Sequence, residues 1–405
     1  MFTHIHVRFA ENQKDKNPAI LAELKSALAP LENGPVFIIG SWQTGDFGHV
    51  YAAAVRHFSI DWVTPFSILV LQAEGFGVST LLKDIEFSVR SVSEQQKGTF
   101  TLVHTDAISK NRAIAAMTEL MKAENAREPF NATFWAEEAV KKMTQGQPLT
   151  DVWASLTRAE DKEHYQDYDR VCQSFMQEYI KKFGLSTGRE QFVCLWGRTS
   201  GTPTKNRPLG GANPQYDSSE RGNHQLCKAL KKGIPALKAI FTVGDGFHGF
   251  TTSLPYVFNL GEFWKRMKVV KGRFQENGFF DFMTAFYDCD VVHVGMKSGG
   301  MDTMGLWGQK VVFIDSERSP EVTKGRVAAW STPHLQPVPI SQMPTPLGKA
   351  IEEARSYDPS AFKTTFKDDK HVKSIGEIAD WFSLDDLFGP KDLAKIVEAV
   401  NTMLA

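Results

Sequence analysis

The sequence predicts an α/β protein built from two doubly wound domains that face each other across a cleft. Three observations carry this reading. Strand-like and helix-like segments alternate along the chain, stop, and then begin alternating again. Pro35 to Gly40 is a continuous apolar run of the sort a central strand of a parallel sheet needs. And 405 residues are too many for one ordinary core.

The first series opens with a short β-prone run, Ile5 to Phe9, and a helix from Pro18 to Leu28 with apolar residues at helical spacing. Pro35 to Gly40 reads as a central strand. Its loop, Ser41 to Gly48, feeds a helix over His49 to Val55. Further strands are expected at Phe66–Leu71 and Phe100–His104, the second followed by a helix over Lys110 to Glu124. From Asn131 to Phe183 the pattern is polar and helical, read either as helices around a domain boundary or as a solvated helical insertion.

The second series starts with a strand at Gln191–Trp196. A helix follows over Ser218 to Lys232, its start marked by Asp217, Ser218 and Ser219. Ala236–Val243 is the next strand, and Gly278–Tyr287 a short helix. The segment CDVVHVGMKSGGMDTMGLWGQKVVFID (289–315) then completes strand, helix and strand. Residues 343–405 read as Pro/Asp-rich loops and a last helix, Pro390 to Leu404. The expected domains are 1–185 and 186–380, with 381–405 a candidate to pack back on the N-terminal domain.

Composition narrows the class. A hydrophobic content of 42% with 23% charged residues belongs to a folded, soluble protein. Forty-six basic against 47 acidic residues give a net charge of −1, which argues against a general nucleic-acid surface. The N-terminus lacks the apolar core of a secretory signal, and no 18-residue apolar run exists, so no membrane span is expected and the location reads as cytoplasmic. Cys172, Cys194, Cys227 and Cys289 have no CxxC spacing and read as buried free thiols.

Four loops follow predicted strands, where ligands meet parallel sheets. In Gly45-Asp46-Phe47-Gly48-His49 the glycines let backbone approach a ligand. Asp46 and His49 are then candidate general bases, or else a helix cap and a packed ring. The stretch from Trp196 to Arg207 gathers three cations with hydroxyl donors. Arg198, Thr199, Ser200 and Lys205 would hold phosphate, unless the loop is merely solvated. Gly244 and Asp245 form a turn that either borders a nucleotide or holds nothing.

The fourth loop empties a strand through glycines onto a helix start, which presents unpaired backbone N–H groups suited to a diphosphate. Ser298, Gly299, Gly300 and Thr303 would line it. Asp302 would reach sugar hydroxyls or simply favour the helix dipole. His4 and His6 alternate on one strand but have no Cys or carboxylate at helpful spacing, so no metal site is expected. Trp307 and Trp330 are expected to pack.

Together these motifs resemble the GT-B glycosyltransferases, two Rossmann-like domains with a nucleotide-diphospho sugar bound mainly to the second. GSWQTGDFGHVYAA looks like that superfamily's acceptor-side loop, and residues 289–315 are similar to its donor-side segment. The chain departs from it at Gln309-Lys310, where Gly-x-Pro is usual, and at Gly305-Leu306, where a Glu is familiar. A distant echo is of the protein-arginine rhamnosyltransferases, which would make Asp46 the base and Asp302 a donor-site carboxylate. The resemblance implies sugar transfer to a small molecule or protein side chain, with no cofactor or metal required. A sugar-nucleotide 2-epimerase on the same fold, or a GT-B-like protein that binds glycans or partners without turnover, are the alternatives.

Overall fold

A computed structural model describes residues 1–31, 34–43, 47–60, 63–122, 162–184, 189–199, 217–244, 247, 251–268, 273–296, 299–306, 308–318, 334–346, 363–365, 372–374, 382–383 and 385–405. The chain forms two compact units. One comprises Met1–Glu160 with Lys271–Glu276, the other Asp161–Val270 with Asn277–Ala405.

The first unit is a four-stranded, all-parallel sheet in the order β1-β4-β3-β2. Its strands are β1 (Phe2–Val7), β2 (Val36–Gly40), β3 (Phe66–Leu71) and β4 (Phe100–Thr105). Every residue of β3 is buried, which is why its sequence, FSILVL, shows almost no alternation. Helices α1 (Asn17–Leu28) and α4 (Lys110–Lys122) pack Ile20, Leu24, Ala113, Ala116 and Leu120 with Val7, Leu69, Leu71 and Val103. Helix α2 (Phe47–Ile60) sets Phe58 and His57 against Phe66. Helix α3 (Ser79–Gln95) buries Leu81, Ile85, Val89 and Val92, an apolar stripe at helical spacing that the sequence reading passed over.

The second unit holds six parallel strands in the order β10-β9-β8-β5-β6-β7. They are β5 (Glu190–Gly197), β6 (Leu237–Gly244), β7 (Val257–Asn259), β8 (Cys289–Met296), β9 (Lys310–Ser316) and β10 (Leu335–Ile340). One face carries α5 (Lys162–Phe183) and an aromatic cluster. Phe175 meets Phe241, Phe258, Phe263 and Phe279 edge-on, at centroid distances of 5.3–5.8 Å. The sequence reading ended the first domain at residue 185. This helix, with its apolar stripe on the second sheet, belongs to the second unit instead.

The opposite face carries α6 (Glu220–Gly233) and α10 (Pro390–Leu404). Leu226, Cys227, Leu230, Ile396, Val400 and Leu404 share one core with Val193, Leu195, Ile240, Val292, Val294 and Ile314. The last helix thus commits its apolar side to this core. The segment before it is docked by Gln225, whose Nε2 donates to the Phe388 carbonyl (3.1 Å) and whose Oε1 accepts from the Phe388 amide (2.8 Å). Helices α7 (Leu260–Met267), α8 (Arg273–Tyr287) and α9 (Gly299–Leu306), and a short antiparallel pair β11 (Lys363–Thr365) and β12 (Val372–Ser374), complete the described elements. Among the described residues no helix is long and apolar enough to cross a membrane.

Candidate functional site

Strand order locates the site in the second unit. From β5 the chain moves through α6 to β6 and outward to β7. It then returns to β8 on the other side of β5 and moves outward again to β9 and β10. The order therefore reverses between β5 and β8. In a doubly wound sheet the connections at such a point leave on opposite faces and open a crevice at the carboxyl ends of the two strands. Arg198 follows β5 directly, and Gly299 and Gly300 begin α9 just beyond β8. Two loops more than 90 residues apart in sequence thus end at one crevice.

Glycine contacts show how closely backbone passes there. Gly244 pairs with Gly197 across β6 and β5. A methyl group on Gly244, where φ is +86°, would stand 2.2 Å from the Gly197 carbonyl oxygen. Gly295 pairs with Trp196, and a Cβ on it would lie 2.9 Å from both Cβ and O of Trp196. A side chain at either position would push the strand ends apart.

Arg198 is positioned by the segment leading into α6. Its N–H donates to Ser218 Oγ (3.3 Å), its carbonyl accepts from Ser218 N (2.7 Å), and its Nε lies 3.6 Å from Asp217 Oδ1. Asp217 is buried, while Arg198 is partly exposed. Ser219 caps α6, accepting from Gly222 N at 2.9 Å. A guanidinium presents its N–H donors in a planar fork that matches the oxygens of a phosphate.

Behind the crevice runs a buried polar network. Trp196 Nε1 donates to His293 Nδ1 (2.9 Å), so His293 carries its proton on Nε2. Gln309 Nε2 and Asn277 Nδ2 donate to the two oxygens of Asp281, at 2.5 and 3.0 Å. Burial pushes His293 down to about 3 and keeps it neutral, against the opposing hydrogen bond to Gln309. Trp196, at the crevice, is therefore tied to the middle of β8.

The remaining sequence candidates fall in four groups. Gly45, Asp46, Ser200, Lys205, Asp245 and Ser298 lie outside the described residues, as do Trp307 and Trp330. Gly48 and His49 lie in the first turn of α2, and the His49 ring is buried. Thr199 is partly exposed beside Arg198, and Gly244 is exposed at the end of β6. Asp302 and Thr303, in the first turn of α9, are fully buried. All four cysteines are free and buried, and burial pushes Cys227 and Cys289 up to about 12.

The first unit holds a pair that the sequence reading missed. His6 Nε2 lies 2.9 Å from Asp106 Oδ1, and Asp106 Oδ2 accepts from Phe9 N at 3.0 Å. Burial raises the Asp106 carboxyl, but the Phe9 amide and His6 outweigh it and hold it below the usual range. Beside this pair His4 Nε2 meets His104 Nδ1 (2.9 Å) and the His6 and His104 rings stack at 4.2 Å. Burial, then His6 and His4, push His104 down to about 4. His6 and Asp106 keep 37% and 26% of their side-chain surface, so the imidazole can meet a solute. Among the described residues no group of three or more His, Cys, Asp or Glu is arranged to hold a metal ion.

No family model matches this chain, and no curated protein matches it. Among solved structures it is similar to a glycosyltransferase from Rickettsia africae ESF-5, at 11% identity over 92% of this chain and 93% of that one. The TM-score is 0.28.

Proposed function

We propose that this protein is a glycosyltransferase that takes a sugar from a nucleotide-diphospho donor held by the second unit. The observation that carries the reading is the crevice between β5 and β8, which gathers Arg198 and the start of α9. A diphosphate needs cations and convergent N–H donors, and that is what these two loops supply. Lys205 and Ser298, in the same two loops, are proposed to join them.

The chemistry is displacement at the anomeric carbon. A base removes the acceptor's proton, the acceptor oxygen or nitrogen bonds to the anomeric carbon, and the bond from that carbon to the diphosphate oxygen breaks. The departing diphosphate is stabilised by Arg198 and the α9 amides, and we expect this electrostatic contribution to dominate. The charge is met by side-chain cations and amides, so the scheme asks for no metal. For the base we favour His6, which is exposed and has Asp106 behind it to orient the ring and stabilise its charged form. Asp46 is the other proposed base, whereas His49 is buried.

The test is a panel of UDP-, GDP-, dTDP- and ADP-sugars, with binding followed by calorimetry and turnover by released nucleotide. At least one donor should bind and be slowly hydrolysed. Arg198→Ala should weaken that binding at least tenfold, while His6→Gln should slow turnover with nucleotide affinity retained. Absence of binding across the panel would refute the reading. Conversion of the donor to its 2-epimer, seen by NMR, would move the protein to the epimerase class.

A further inference from the structure

The C-terminal edge of the first sheet carries a second feature, separate from the His6–Asp106 pair. Trp42 lies just past β2, Phe76 just past β3, and Lys110 begins α4 just past β4. Lys110 Nζ stands 5.1 Å from the Phe76 ring centroid and 5.8 Å from that of Trp42. Phe76 is 39% exposed and is the one aromatic among the exposed large hydrophobic residues described. An aromatic ring left in water at the ligand-binding edge of a parallel sheet, beside a cation, has no role in the core.

The platform is built rather than loose. The Trp42 indole folds over Gly40, where an added Cβ would meet its ring atoms at 2.5–2.6 Å. The loop carrying Phe76 is tied to both neighbours. Ala73 N donates to Ser41 Oγ (2.9 Å), Ile108 N to the Gln72 carbonyl (3.1 Å) and Glu74 N to the Ile108 carbonyl (2.9 Å). An added Cβ on Gly75 or Gly77, either side of Phe76, would meet nothing within 4 Å among the described residues.

We propose that Trp42, Phe76 and Lys110 form the acceptor-binding surface and that the acceptor is an acidic saccharide; this rests on the glycosyl-transfer reading above. The C–H face of a pyranose lies on the rings, as apolar ligand surface does on aromatic walls. Its carboxylate takes the Lys110 ammonium from the ring faces, because a full charge pair in a fixed geometry outweighs an exposed cation–π contact. Glu74, exposed on the same loop, repels a carboxylate on its own side and so favours the orientation toward Lys110.

Calorimetry with a glucuronate-terminated disaccharide, and with the same disaccharide ending in glucose, tests this on the full chain. The acidic sugar should bind at least tenfold more tightly than the neutral one. Phe76→Ala should weaken both by about tenfold, and Phe76→Trp should restore them. Lys110→Gln should erase the preference for the acidic sugar. Equal affinity for the two sugars would overturn the proposal. So would binding of neither sugar alongside capture of a short single-stranded oligonucleotide. The donor panel on the same sample separates the two readings. Nucleotide binding without disaccharide binding would sink the acceptor proposal alone. Disaccharide binding without nucleotide binding would support the platform and sink the transferase reading.

Discussion

His293 should make the second unit acid-sensitive in a way that a single substitution removes. Its ring is fully buried in β8, and burial pushes it from 6.5 down to about 3. The unfolded chain binds a proton below about pH 6.5, while the folded chain resists until about pH 3. Between those values the unfolded state holds more protons, so stability rises with pH and is lost as pH falls. One titrating group with these two values costs about 2 kcal/mol between pH 7 and pH 5. Full burial means that solvent screening takes little from this figure. His293→Gln keeps an acceptor for Trp196 Nε1 and removes the proton site. Amide exchange of β5 and β8 peptides, corrected for intrinsic rates, reads the opening free energy at both pH values. The wild type should lose about 2 kcal/mol more than the variant on going to pH 5. His104 and His334, also pushed down by burial, are common to both proteins and cancel in the comparison. Equal losses in the two proteins would refute the argument.

Gly244→Ala should cost about 1–2 kcal/mol from the positive φ alone and more from the contact with the Gly197 carbonyl, lowering Tm and nucleotide affinity together; an unchanged Tm would contradict the geometry. Gln225→Ala leaves the Phe388 amide and carbonyl without their side-chain partner and should cost about 1–3 kcal/mol, read as faster proteolysis near residues 383–389 with α6 otherwise intact.

Most strands were legible because both faces of each sheet are covered, so a run such as Phe66–Leu71 is buried throughout and apolar at every position but Ser67. Strand β10 hid for the opposite reason. Pro337 and Pro339 argue against a strand, yet β10 is an edge, paired to β9 alone, where missing N–H donors can be tolerated. Helix α3 was passed over because Lys83, Asp84 and Glu86 dilute its apolar stripe. Helix α5 looked solvated for a similar reason. Its polar N-terminal half masks Val171, Phe175 and Tyr179, whose i, i+4 spacing commits the second half to the aromatic core of the second unit. Composition averages over a helix, whereas burial is decided by one side of it.

The site was legible only where one loop held its own chemistry. Arg198 and the glycines of 299–300 could be picked out locally, but their meeting depends on β8 lying beside β5, a neighbour relation that spacing does not encode. The His6–Asp106 pair was missed because its carboxylate lies 100 residues away, brought in by the pairing of His6 with His104. A parallel sheet offers a remedy, since every strand ends on the same edge. Trp42, Phe76, Asp106, Lys110, Arg198 and Gly299 all fall within five residues of a strand's last residue. Asp302, six residues past β8 and inside the first turn of α9, is fully buried. Chemistry that sits just past a strand is therefore the better candidate for ligand contact, and chemistry within the following helix the better candidate for support.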